Sequence, residues 1–246
     1  MKRAVFTVLG NERISADVFD LRLSGDTSEL VGSGQFVNAD IPDLYLRRPI
    51  SICDYSPGEM RLVIKIVGKG TQKMASLKEG DPVDLLVPLG NGFDTAKSGK
   101  TPYLFGGGVG VAPMVRLAKD LIGQGKKTTV VLGFNSSSDV ILYDDYCRIV
   151  GKENVFVTTV DGSFGQKGFV TEVNADGASF VYSCGPLPMM KALDKAIECG
   201  AEYSFESRMG CGFGACMGCT LASAGGPVRV CREGPVFRKG EILWQT

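Results

Sequence analysis

Tyr103-Leu104-Phe105-Gly106-Gly107-Gly108-Val109-Gly110-Val111-Ala112-Pro113 decides the fold of this 246-residue chain. A short apolar strand runs into a glycine-rich turn, and Pro113 stands where a helix from Met114 to Gly123 begins. Proline suits a first helical turn because its φ is already helical and the N–H it lacks would have no partner there. Glycines let such a turn approach a pyrophosphate, while the helix start offers oriented N–H groups. Taken alone, the motif is equally well a tight strand-to-helix turn. Its surroundings favour the dinucleotide reading. Strand-like runs at Thr128 to Phe134, Val155 to Val160 and Phe180 to Cys184 alternate with helical spacing, the second helix running from Pro188 to Cys199. That alternation predicts a doubly wound parallel sheet.

In such a sheet ligands bind beyond the carboxyl ends of the strands. Gly106, Gly107, Gly108 and Gly110 then hold the phosphates, and Cys184, Gly185 and Pro186 lie beside a nicotinamide. On its own Cys184 reads as a small buried hydrophobe. The turn Phe134-Asn135-Ser136-Ser137-Ser138-Asp139 carries no lysine or arginine, which a 2′-phosphate would call for, so NAD(H) is favoured over NADP(H).

Upstream, six short runs alternate with period two: Val5 to Leu9, Val18 to Leu23, Gly34 to Ile41, Pro49 to Cys53, Arg61 to Val67 and Val83 to Pro88. They predict a small antiparallel β-barrel. A helix from Thr71 to Leu77 interrupts it, and the polar stretch Asp94 to Pro102 reads as a linker. Arg48-Pro49-Ile50-Ser51 joins an arginine able to neutralise a pyrophosphate to a serine able to hydrogen-bond a flavin edge, although a basic pair before a strand is also an ordinary surface feature. Gly70-Thr71 opens the barrel's helix as a second phosphate-binding candidate, and together these suggest FAD along the barrel.

Downstream, Cys211, Cys216, Cys219 and Cys231 stand as C-x4-C-x2-C-x11-C, with glycines at 210, 212, 214 and 218. This is the spacing of a plant-type [2Fe-2S] centre. Zinc also takes four thiolates, but its structural sites usually present two short knuckles, and here one C-x2-C pair stands alone. A disulfide framework fits poorly, because a chain with 44% hydrophobic residues builds a core without staples and half of its eight cysteines lie elsewhere. Three of those others, Cys53, Cys147 and Cys199, read as packing residues.

Charge balances at 27 basic against 27 acidic residues, which argues against nucleic acid or an anionic membrane as the main partner. No apolar run has the length of a membrane span and no signal-peptide core follows Met1, so a soluble cytoplasmic protein is expected. Histidine is absent, which disfavours acid–base chemistry on a substrate and suits redox chemistry carried by cofactors; no side chain is singled out as catalytic. Three segments are expected: residues 1–97 an FAD-binding β-barrel, 98–203 an NAD-binding α/β domain, and 204–246 a small cluster-binding segment.

The ordered set R-P-I-S, G-K-G-T, G-G-G-V-G-V-A-P, C-G-P and the cysteine tail resembles, from end to end, the ferredoxin–NADP reductase family, and within it the electron-transfer subunits of NAD-dependent (class 1B) dihydroorotate dehydrogenases. The resemblance implies FAD contacts at Arg48, Pro49, Ile50, Ser51, Val63, Ile64, Lys65, Gly70 and Thr71, and cluster ligation by Cys211, Cys216, Cys219 and Cys231. It implies electrons passing between NAD(H) and the FMN of a separate catalytic subunit by way of FAD and the cluster, in a heterotetramer of two plus two chains. Ile50 departs from the wider R-x-Y-S pattern, which puts aromatic stacking on the flavin in question there, and Arg238 places a cation where an acid is more usual. Two other readings stand beside it: the small subunit of an NADH-dependent ferredoxin:NADP oxidoreductase or sulfide dehydrogenase, and a zinc-stapled nucleotide-binding module. The Gly210-Cys211-Gly212 setting favours the dihydroorotate dehydrogenase subunit over the first.

Overall fold

The structure is a computed structural model that describes residues 1–244. Strands β1 (Lys2–Arg13), β2 (Val18–Ser24), β3 (Phe36–Ala39), β4 (Arg48–Ser56), β5 (Glu59–Lys65) and β6 (Pro82–Leu89) close into an antiparallel barrel in the order β1-β2-β5-β4-β3-β6. The alternation seen in sequence becomes the two faces of the wall. In β6, Val83, Leu85 and Val87 point inward with Phe6, Leu21, Leu62 and Ile64. Helix α1 (Lys69–Ala75) caps the barrel and buries Met74 in that core.

The Asp94 to Pro102 stretch is a short 3-10 turn over Thr95–Lys97, begun by the Asp94 carboxylate accepting from the Ala96 amide at 3.1 Å. Beyond it come β7 (Pro102–Gly107), α2 (Met114–Gly123), β8 (Thr129–Phe134), α3 (Tyr143–Val150), β9 (Val155–Thr159), β10 (Gln166–Lys167), β11 (Phe180–Cys184), α4 (Leu187–Ala196) and β12 (Ala201–Ser204). β13 (Thr220–Ser223) and β14 (Gly226–Arg229) form a hairpin, and β15 (Val236–Arg238) follows. The main sheet has the order β10-β9-β8-β7-β11-β12-β15, parallel except for β15. The chain builds outward from β7 in both directions, so the order reverses between β7 and β11; that reversal is where an open α/β sheet makes its ligand crevice.

Several elements lay outside the periodicities, α3, β12 and β15 among them. Helix α3 buries only Tyr146 and Val150, too narrow a stripe to read as helical spacing. β15 is three residues long, yet its pairing of Phe237 with Tyr203 carries the sheet into the cysteine-bearing tail. The Asn91 side chain ties that tail to the end of the barrel, donating to the Glu233 and Val236 carbonyls at 3.0 and 2.8 Å and accepting from the Val236 amide at 2.9 Å.

Barrel and sheet are joined by charge as well as packing. Arg61 on β5 pairs with the buried Asp20 at 2.7 Å and with Asp145 of α3 at 2.9 Å. Arg116 of α2 donates to the Tyr55 carbonyl at 2.8 Å while its guanidinium lies 4.2 Å from the centre of the Tyr55 ring.

Candidate functional site

A cavity of about 760 Å³ opens at the carboxyl ends of β7, β8, β9 and β11, walled on its other side by Asp17, Val18 and Lys65 of the barrel. Gly107, Gly108, Gly110, Gly185 and Pro186 line it, whereas Gly106 and Cys184 stand behind its wall. The glycines divide by role. A Cβ at Gly106 would lie 2.5 Å from Met114 Cε, at Gly107 2.5 Å from Met189 Sδ, and at Gly110 2.5 Å from the Cys184 carbonyl oxygen. These positions serve packing of the two loops against each other and against their helices. Gly108, at φ +55° with open space where a Cβ would be, leaves the backbone bare to a ligand. Cys184 is buried, which pushes its thiol up to about 12 and keeps it neutral.

In the turn after β8, Asp139 accepts from the Ser136 amide at 3.1 Å and its hydroxyl at 3.0 Å. Lys65, on the barrel wall, is the one basic residue in the cavity's lining among the described residues. Sequence reasoning missed Thr158 and Phe169, which belong to no motif and line the cavity through topology. Glu206, one residue beyond Phe205 in the tail, also faces it; burial raises its carboxyl above the ordinary range.

On the barrel, a Cβ at Gly70 would sit 2.2 Å from Arg48 Nε, so glycine there lets the guanidinium lie across the start of α1. Arg48 Nη1 donates to the carbonyls of Leu46 and Arg47. Thr71 is occupied locally: its hydroxyl oxygen accepts from the Val67 amide at 2.9 Å and donates to the Gly68 carbonyl at 3.1 Å, holding the turn. Register places Pro49 opposite Asn38 and Ser51 opposite Phe36 on the outer face of the wall. Ile50 and Ile64 turn into the barrel core, Val63 joins the core shared with the α/β domain, and Lys65 reaches the cavity. The Ile50 side chain is thereby committed to packing, so a ligand meets that position through backbone.

The four tail cysteines form two pairs. Cys211 Sγ accepts from the amides of Ala215 and Cys216 at 3.2 and 3.5 Å, and the Cys211 amide donates to Cys216 Sγ at 3.4 Å. Cys219 Sγ lies 3.2 Å from Cys231 Sγ in the buried half of the site. All eight cysteines are free thiols. Burial works against ionising Cys211, but the amides of Cys216, Phe213 and Ala215 outweigh it and bring the thiol down to about 6. Burial, reinforced by Cys219, pushes Cys231 up to about 12, so a fully ionised set needs cationic charge among the sulfurs. Among the described residues no three such ligands converge on a single-ion site. Two thiol pairs joined by a loop that aims N–H groups at sulfur fit a dinuclear iron–sulfur centre. Gly212 at φ +78° and Gly214 at φ +95° permit the loop's turns.

These features define a class: a reductase that couples a nucleotide cavity to a flavin-binding barrel and an iron–sulfur tail. Solved structures agree. The chain resembles an NADH-dependent reduced ferredoxin-NADP oxidoreductase at a TM-score of 0.86 and 31% identity, over 97% of this chain and 90% of that one. Phthalate dioxygenase reductase, at a TM-score of 0.63 and 19% identity over 78% of this chain and 63% of that one, shares the fold. Residues 104–195 match the oxidoreductase NAD-binding domain, and residues 206–243 match the iron-sulfur cluster binding domain of dihydroorotate dehydrogenase B. The dihydroorotate dehydrogenase B (NAD(+)) electron transfer subunit of Lysinibacillus sphaericus (strain C3-41) is 42% identical over 96% of both chains. That of Fusobacterium nucleatum is 40% identical over 98% of this chain and 99% of its own. The chain belongs to this family of dihydroorotate dehydrogenase B electron transfer subunits.

Proposed function

We propose that this chain passes electrons between NAD(H) and the catalytic subunit of a dihydroorotate dehydrogenase in pyrimidine biosynthesis. The observation that carries the reading is one continuous seam. Nucleotide cavity, flavin strand β4 and thiol pairs all lie along the contact of barrel, sheet and tail. When bound, FAD supplies exchange of an electron pair with the nicotinamide as hydride and of single electrons with a [2Fe-2S] cluster, which relays them one at a time.

The residues divide the work. Gly108 and its neighbours Gly107 and Gly110 receive the NAD phosphates, with Gly106 supporting the turn. Gly185 and Pro186 form the wall beside the nicotinamide, with Cys184 packed behind them. Arg48 would neutralise the flavin's pyrophosphate beside Gly70 and Thr71, while Pro49, Ser51 and Lys65 would meet FAD from the outer face of the barrel wall and Ile50, Val63 and Ile64, whose side chains are committed to core packing, would meet it through backbone. Cys211, Cys216, Cys219 and Cys231 would hold the cluster, the loop amides screening the sulfur charge.

The partner is an FMN-containing catalytic subunit in a two-plus-two assembly. Cys216 is exposed, and beside it Phe213 and Met217 are 44% and 50% exposed, an apolar rim suited to a protein surface that excludes water from the electron's exit. No described helix is long and apolar enough to cross a membrane; a cytoplasmic location is part of the proposal. Anaerobic NADH titration of the co-expressed pair tests the whole reading: flavin absorbance and then cluster absorbance bleach in turn. A colourless preparation holding one zinc per chain overturns it. Co-purification with a ferredoxin:NADP oxidoreductase large subunit would favour the second reading, which the fold likeness supports.

A further inference from the structure

Asn38 lies where the flavin strand and the cluster loop meet. It sits in β3, between β4 and β6, and is wholly buried. Its neighbours Val37 and Ala39 point into the barrel core, so Asn38 points outward with Phe36, which packs in the same apolar cluster as Cys219 and Cys231. Its backbone is opposite Pro49 of β4, and Arg47 Nη1 donates to its carbonyl at 3.2 Å. Its side-chain Nδ2 donates to the carbonyl of Cys211 at 3.1 Å. Gly212 follows at φ +78°, and a Cβ there would lie 2.4 Å from Asn38 Nδ2, so the loop is shaped to close on this amide. Oδ1 of Asn38 is buried and has no partner among the described residues. A buried amide that leaves its acceptor unsatisfied is costly at a position where an aliphatic side chain would pack, so something must compensate.

We infer that Asn38 is a positioning residue for electron transfer. Through Nδ2 it fixes the first cysteine of the cluster loop to the strand beside the flavin, and through Oδ1 it presents an acceptor to a donor of the bound flavin. The inference rests on the proposed function and names a residue outside every motif of the sequence. No other hydrogen bond runs from the barrel's strands to the four cysteines among the described residues, which makes this contact the short rigid link between the two halves of the relay.

The test uses the FAD- and cluster-loaded complex with Asn38→Leu, which keeps the branched shape and removes both polar atoms, and Asn38→Ala as a second variant free of steric conflict. Stopped-flow mixing with NADH reads flavin bleaching and cluster bleaching separately, and low-temperature EPR reads the reduced cluster. Flavin reduction by NADH should stay within about twofold and FAD affinity should fall for want of the Oδ1 acceptor, while cluster reduction slows roughly tenfold, the factor expected if loss of one hydrogen bond leaves the loop in its anchored geometry about one tenth of the time. The EPR line should shift or broaden, which a general loss of stability does not produce. Unchanged cluster kinetics and an unchanged EPR line in either variant overturn the inference, as does loss of FAD and cluster together. Loss of the cluster with FAD retained supports the anchoring. Failure of NADH to reduce the wild-type flavin would instead sink the proposed function.

Discussion

At the residue scale, glycines that look alike in sequence have different physical reasons. Gly110 is held by backbone: the Cys184 carbonyl oxygen occupies the space of a Cβ, and a carbonyl in a strand cannot step aside. Gly110→Ala should therefore destabilise the chain by about 1–3 kcal/mol, read as a lowered urea midpoint. Gly70 is opposed only by the flexible Arg48 side chain. Gly70→Ala should leave the unfolding free energy within about 1 kcal/mol of wild type and weaken FAD retention on gel filtration, because the guanidinium is displaced. A variant that keeps its flavin at wild-type affinity would remove Arg48 from the pyrophosphate site. Cys219→Ser should abolish the cluster's visible absorbance while flavin absorbance persists, since it takes one sulfur from the buried pair.

Elements decide how the tail is attached. β15 pairs with β12, and the Asn91 side chain makes three hydrogen bonds to the tail, to Glu233 and Val236. The tail is thus partly ordered by the sheet as well as by whatever its cysteines bind. Asn91→Ala should cost about 1–3 kcal/mol through the groups it leaves unpaired, measured by chemical unfolding, and should raise amide exchange across residues 234–238 more than in the barrel. The barrel strands, β7, β8, β9, β11 and the helices α2 and α4 were legible because each shows an apolar run or period bounded by turn residues. β12 and β15 were not, since four and three residues carry no usable period, and α3 was hidden by its narrow buried stripe. The candidate cysteine set was legible because its spacing along the chain is itself the signal. The lining at Thr158, Phe169 and Glu206 was not, because those residues converge only when separate strand ends are brought together.

For the whole molecule, the barrel and the sheet must stay in register for the cavity between them to keep its shape, and Arg61 is the main charged link across that joint. Burial alone would raise the Asp145 carboxyl, but its bonds to Arg61 and Arg148 prevail and hold it below the usual carboxylate range. A group with a lowered folded pKa contributes stability above its unfolded value, near 3.9, and loses it as pH falls through the folded value. The stability that Asp145 contributes should accordingly be constant from about pH 7 to 5 and drop below about pH 4, read as a smaller acid-side loss in Arg61→Met than in the wild type. That variant should also cost about 3–5 kcal/mol at neutral pH, because it strands the buried Asp20. Thermal unfolding across this pH range checks both.

Sequence by itself determined the three kinds of unit, the nucleotide loop and the four-thiol set, because periodicity and spacing are local properties that a short stretch specifies on its own. Only the tertiary structure decided that Gly110 meets the Cys184 carbonyl, that Arg48 lies over Gly70, that β15 extends the main sheet and that Asn38 reaches Cys211. Those contacts join residues from about 20 to more than 170 positions apart, and their partners are chosen by the closure of the barrel and the order of the sheet rather than by any repeat along the chain.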